Sequence, residues 1–120
     1  MTDKELEQVN VKIARKMGWI NFRRERLPDN MFGGARMTGV APGNFRHQFV
    51  PTFTSNLAYA MKCVDWATER DFNFQLVKYG KYVGDFHYKA TFEYIGEQKA
   101  WDTATLPSMA ICMAFLKIKE

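Results

Sequence analysis

The 120-residue sequence predicts an α+β domain: a three-layer α/β/α sandwich with a small, mainly antiparallel sheet of about three strands and three helices. Three observations predict it. Apolar residues recur at helical spacing near both ends and in the middle of the chain. Residues 72–95 instead alternate with a period of two. Glycine-containing turns separate these strand-like runs, and short turns favour antiparallel pairing. Three strands bury little by themselves, so helices must cover the sheet.

The first element is an amphipathic helix over residues 2–18. Thr2-Asp3-Lys4-Glu5 fits a capping box, in which Thr2 caps the third amide and Glu5 reaches back. Leu6, Val9, Ile13 and Met17 form one narrow stripe, and Gly18 is placed as a C-terminal cap. Lys12, Arg15 and Lys16 stand in the last turns, where cations complement the helix dipole. Residues 19–52 show no sustained period and are punctuated by Pro28, Gly33-Gly34, Gly39 and Pro42-Gly43. A run of that length is too long for a plain connector. It is functional, packed as an irregular cap, or partly strand, with Phe45-Arg46-His47-Gln48-Phe49 able to supply a short strand.

A second helix is predicted over 54–70, capped by Thr54 or Ser55. Its apolar stripe runs through Leu57, Ala60, Met61, Val64 and Ala67/Thr68, with Tyr59 and Trp66 flanking. Strands follow over 72–95, with a turn at Tyr79-Gly80-Lys81-Tyr82 and a bulge or break at Gly84. Tyr88, Ala90, Phe92 and Tyr94 share one face; Lys89, Thr91 and Glu93 share the other, more solvated one. Gly96-Glu97-Gln98-Lys99 turns the chain into a short strand over 100–105. Pro107 suits the first turn of a last helix, apolar nearly all round from Met109 to Ile118. Such a helix is buried on several sides, by the sheet and by another helix or a partner chain. Without a linker to split it, the chain reads as a single domain, 1–120, carrying a long basic segment at 19–52.

Composition narrows the function classes. Hydrophobic content of 47% with 25% charged residues is ordinary for a globular domain and argues against whole-chain disorder. No stretch approaches ~18 consecutive apolar residues, so no membrane helix is expected. The opening MTDKELEQ has no apolar core of a signal peptide, which points to the cytoplasm. Cys63 and Cys112 lie in helix-like apolar segments and read as buried free thiols. There is no CxxC or HxxxH spacing, so no zinc site is expected. His87 follows Asp85 closely, but no nucleophile signature accompanies the pair. Gly33-Gly34 lacks the surroundings of a phosphate loop. The scattered carboxylates form no metal-binding cluster. The expectation is therefore a non-enzymatic protein with no cofactor and no metal.

Charge is more informative. The net charge of +4 is the sum of a basic segment and a slightly acidic remainder. Residues 12–50 hold eight Lys and Arg against Glu25 and Asp29. Aromatic residues are interleaved there: Trp19, Phe22, Phe32, Phe45 and Phe49. Arginine presents a planar fork to phosphate and aromatic rings stack on bases. Arg23, Arg24, Arg26, Arg36 and Arg46 are the candidate phosphate contacts. Trp19, Phe22 and Phe45 are the candidate stacking rings, and His47 can meet an anion when protonated. The competing reading is a loop whose Phe side chains anchor it while its Arg side chains are simply solvated.

Several segments also carry a family resemblance. Ala14-Arg15-Lys16-Met17-Gly18-Trp19 closes the first helix, and Pro51-Thr52-Phe53-Thr54-Ser55 leads into the second. Phe74-Gln75-Leu76 begins the sheet, and Thr103-Ala104-Thr105-Leu106-Pro107-Ser108-Met109-Ala110-Ile111-Cys112 leads into the last helix. In this order and spacing they resemble the phage α-β-α sandwich domain family of small phage and prophage proteins. The resemblance implies the layered fold and a viral origin, hence the host cytoplasm, and it carries no catalytic residues. Together these readings give a non-enzymatic phage accessory protein that binds a host-derived small anionic or nucleotide ligand, sequestering a signal of antiviral defence. The alternatives are a module that inhibits a host protein and, ranked behind both, a nucleic-acid accessory protein. The apolar last helix also suggests a homo-oligomer.

Overall fold

A computed structural model describes residues 1–26, 35–80 and 87–119. Its contacts divide the chain into two compact units, Met1–Pro51 and Thr52–Glu120. The first contains helix α1 (Asp3–Lys16) and strands β1 (Ile20–Arg26), β2 (Ala35–Val40) and β3 (Gln48–Phe49). The second contains α2 (Leu57–Thr68), β4 (Asn73–Tyr79), β5 (His87–Tyr94), β6 (Gln98–Ala104) and α3 (Pro107–Leu116). The class is α+β, with three helices among the described residues, as predicted. The strands form two antiparallel three-stranded sheets, β1-β2-β3 and β4-β5-β6.

In the first unit, the capping box forms. Thr2 Oγ1 accepts the Glu5 amide at 3.2 Å, and the Glu5 carboxylate accepts the Thr2 amide at 3.4 Å. At the other end the Gly18 amide donates to Arg15 O and the Trp19 amide to Ala14 O, with Gly18 at φ +99°. That pair of bonds is a Schellman closure, which needs the left-handed residue that glycine supplies. The buried face of α1 is Asn10, Val11, Ile13 and Ala14. Leu6, Val9 and Met17 are only half-buried, so the stripe is rotated from the predicted one. The Schellman turn sends the chain back along the Val11 side, where Val11 lines a cleft with Met37 and Arg24.

The segment 19–52 is therefore sheet in large part and not an irregular cap. β1 and β2 pair from Ile20↔Val40 to Arg26↔Ala35, with a bulge that sets Asn21 and Phe22 opposite the single residue Gly39. Asn21 sits at φ +56°, a region asparagine tolerates. Phe22 and Trp19 lie over Gly39 so closely that a Cβ there would stand 2.9 Å from the Phe22 ring. The predicted 45–49 strand shrinks to Gln48–Phe49, because Ala41 to Asn44 close a turn and leave Phe45 99% exposed. Pro28, Phe32 and Gly33-Gly34 lie outside the described residues.

In the second unit, Asn56 caps α2 in place of Thr54 or Ser55, its side chain accepting the Tyr59 amide at 3.2 Å. The reason is a turn at Thr52, whose carbonyl accepts the amides of both Ser55 and Asn56 and delays the helix. Thr54 is buried, and its carbonyl accepts the Ser108 hydroxyl at 2.8 Å. Ala60, Cys63, Val64 and Ala67 are buried on α2, while Leu57 and Met61 of the predicted stripe are exposed.

β4, β5 and β6 form a meander. Alternation along β5 puts Ala90 and Phe92, both fully buried, on the core face. Lys89, Thr91 and Glu93 take the other face, where Trp101 stays 47% exposed with Lys89 Nζ 4.6 Å from its ring centre. Helix α3 covers β5 and β6, and α2 packs beside it and against β4. Rings run from sheet to helices: Phe74 to Phe92 at 5.1 Å, Phe92 to Phe115 at 6.3 Å and Phe115 to Trp66 at 5.2 Å. Cys63 and Cys112 are both buried and form no disulfide. Within its own unit α3 buries Ala110, Ile111, Cys112, Ala114 and Phe115, while Met109, Met113 and Leu116 stay half-buried. β6 begins at Gln98, two residues before the predicted strand, after a turn with Gly96 at φ +77°. Lys81, Tyr82, Gly84 and Asp85 lie outside the described residues.

Candidate functional site

The division into units sharpens the charge map. Met1–Pro51 holds nine Lys and Arg against five Asp and Glu, whereas Thr52–Glu120 holds eight of each. The whole excess of +4 therefore belongs to the first unit.

Strand alternation then decides where the arginines go. Arg24 and Arg26 pair with Met37 and Ala35 and share the face turned to α1. Arg23 pairs with Thr38 and shares the opposite face with Glu25 and Arg36. On that opposite face Arg23 Nη2 is 2.7 Å from Glu25 Oε1, and Arg36 lies 4.6 Å from the centre of the Phe49 ring. The hairpin thus carries guanidinium groups on both faces, and the five predicted arginines do not share one concavity. Arg46 and Phe45 are exposed on the loop that follows β2. The His47 ring donates from Nε2 to the Asn21 carbonyl at 2.8 Å, pinning the β1 bulge. Trp19 and Phe22 are half-buried against Gly39, so both rings are partly committed to packing.

One of the five, Arg24, does stand in a built cleft. Between α1 and the hairpin lies a space of about 270 Å³ lined by Glu7, Gln8, Val11, Lys12, Arg15, Arg24 and Met37. Val11 and Met37 supply apolar surface, and Lys12, Arg15 and Arg24 supply three cations. The Arg15 guanidinium is 5.1 Å from the centre of the Phe22 ring, which places an aromatic beside the charges. Among the described residues one carboxylate enters the cleft: Glu7, whose Oε1 accepts from Arg24 Nη2 at 2.5 Å. Arg24 and Glu7 keep side-chain exposures of 52% and 28%, so the pair is wet and exchangeable. Chemically, the arrangement can hold an anion between three donors, with Glu7 as an internal competitor for Arg24.

Lys12 and Arg15 are absent from the sequence-derived site. Their spacing of three puts them on one side of α1, and Gln8 and Lys12 at a spacing of four extend that row. That signal was present, but only the Schellman turn shows that this row faces Arg24. Among the described residues, no group of three or more His, Cys, Asp or Glu gathers as a metal centre, and no helix is long and apolar enough to cross a membrane. Compared with protein-family models, curated proteins and solved structures, the chain matches none.

Proposed function

We propose that this is a non-enzymatic binding protein whose first unit holds a small anionic ligand of the nucleotide type. The observation that carries the reading is that Lys12, Arg15 and Arg24 line one cleft in which, among the described residues, Glu7 is the one carboxylate and is already paired. Its volume falls just below the ~300–1,000 Å³ usual for ligand pockets, which suits a phosphate with a compact body attached. The viral accessory role in the host cytoplasm rests on the sequence resemblance to phage α-β-α sandwich proteins alone, which no family comparison carries. There a stoichiometric binder of a nucleotide signal would blunt a defence response without catalysis.

Calorimetry with a panel of linear and cyclic nucleotides tests this directly. Binding to the intact chain is expected, weakened about tenfold or more by Arg24→Ala or by Lys12→Ala with Arg15→Ala, since bonds to charged groups contribute roughly 1.5–3 kcal/mol each. Absence of heat and of thermal shift with every nucleotide sinks the proposal.

A second reading has its own observation. Guanidinium groups on both faces of the β1–β2 hairpin suit an extended polyanion better than a compact one. In that case affinity for a nucleic-acid strand falls steeply with salt, and Arg23 and Arg36 matter as much as Arg24.

A further inference from the structure

The second unit contains a cleft of its own. It occupies about 340 Å³ and is lined by Trp66, Arg70, Phe72, Tyr94, Glu97, Gln98, Ile118 and Lys119. We propose that this cleft is a site for a planar heteroaromatic ring bearing N–H donors on its edge, in the manner of an aminated nucleobase.

Three features carry the inference. The first is a prepared stacking plane. The Arg70 guanidinium lies 3.8 Å from the centre of the Trp66 indole and donates from Nη1 to the Trp66 carbonyl at 2.9 Å. The indole is itself fixed edge-on against Phe115 at 5.2 Å. A guanidinium seated over one ring can stack a further ring on its other side, and Arg70 is exposed. The second is the aromatic wall opposite in sequence: Phe72 and Tyr94, at 5.5 Å, are a tilted pair with Phe72 buried and Tyr94 half-exposed. The third is the polar rim. Gln98 is used internally, donating to the Lys119 carbonyl at 2.9 Å and accepting the Lys119 amide at 3.0 Å. This reciprocal pair closes one wall and leaves Glu97, exposed on the rim, as the acceptor for a ligand. A carboxylate accepts from two neighbouring N–H groups, so it favours a ring edge that offers both.

The inference stands apart from the anion cleft of the first unit, and uncharged nucleosides separate the two. Heteronuclear NMR of the intact chain, titrated with guanosine, cytidine, adenosine and uridine, reads the site. Shifts are expected at Trp66, Arg70, Tyr94 and Glu97, strongest for guanosine, whose edge presents adjacent N–H donors, and weakest for uridine. Arg70→Lys keeps the cation and loses the plane, and it should weaken binding at least fivefold. Glu97→Gln should abolish the preference for guanosine over uridine while leaving stacking. Either variant's fold is checked by its amide spectrum, and both positions are on the surface. No shift with any nucleoside at millimolar concentration overturns the inference. Shifts confined to residues 1–51 overturn it too, as does an Arg70→Lys variant that binds as the parent does.

Discussion

The two sheets have the same strand count and the same antiparallel order, yet different forces hold them. β4-β5-β6 rests on fully buried apolar side chains: Ala90 and Phe92 on the strand, Ile111 and Phe115 on the helix above. Among the described residues of β1-β2-β3, Thr38, Gly39 and Val40 are buried, all on β2. That sheet is organised instead by a bulge, a close approach at Gly39, and cations laid over rings and carboxylates. The contrast teaches what each sheet offers: the one with little core keeps its charges in exposed, exchangeable ion pairs, and the other holds its rings fixed by packing.

The largest effect that probes the comparison lies in the second unit. Phe92→Ala deletes a ring that contacts both Phe74 and Phe115 and has no exposure. A loss of about 3–5 kcal/mol is expected, measured as a shift in urea midpoint at unchanged slope. A loss below about 1 kcal/mol would show that this sheet does not depend on its apolar face as described.

The difference between the sheets is also the difference in what was legible. In β5 the period of two in Tyr88, Ala90, Phe92 and Tyr94 is the physical signal of one buried face, and the structure follows it. In β1 the residues Ile20-Asn21-Phe22-Arg23-Arg24-Glu25-Arg26 carry charge on both faces, and the bulge shifts the phase midway, so no period survives. The same cause hid the site. Charge counting singled out residues 12–50, but which arginines face one another depends on strand register and on the Schellman turn. Arg24 could be named and its partners Lys12 and Arg15 could not. Helix caps were read well where the motif is purely local, as at Thr2. They were misplaced at Asn56, where a preceding turn through Thr52 competes.

The next effect in size belongs to the first unit. Gly39→Ala puts a methyl group 2.9 Å from the Phe22 ring and 3.2 Å from the Trp19 ring. Overpacking of that kind costs roughly 1–3 kcal/mol. Combined with Phe22→Ala the cost should be less than additive, because the clash is gone. Additivity in a double-mutant cycle would mean that Phe22 does not organise this sheet.

Smaller again are the caps. Asn56→Ala and Thr2→Ala each remove a side-chain acceptor from a helix's first turn, and each should cost about 1 kcal/mol. The Thr2 effect is expected to be the lesser, since that end of α1 is exposed and can fray into water. Thermal melts of both variants read the order, and a larger loss at Thr2 would contradict it.

The smallest stability effects are the most informative for function. Arg23–Glu25 and Arg24–Glu7 are both exposed ion pairs, and each should contribute only ~0.2–1 kcal/mol to stability. Their consequences for binding should differ, because only the second pair stands in the cleft with Lys12 and Arg15. Glu7→Gln removes the internal competitor and leaves three cations facing a neutral side chain. Nucleotide affinity should therefore rise severalfold, with a steeper dependence on salt. Glu25→Gln, on the opposite face of the hairpin, should change stability as little and affinity hardly at all. If the two variants raise affinity equally, the anion is being attracted by the charge of the whole unit, and the cleft has no special part in holding it.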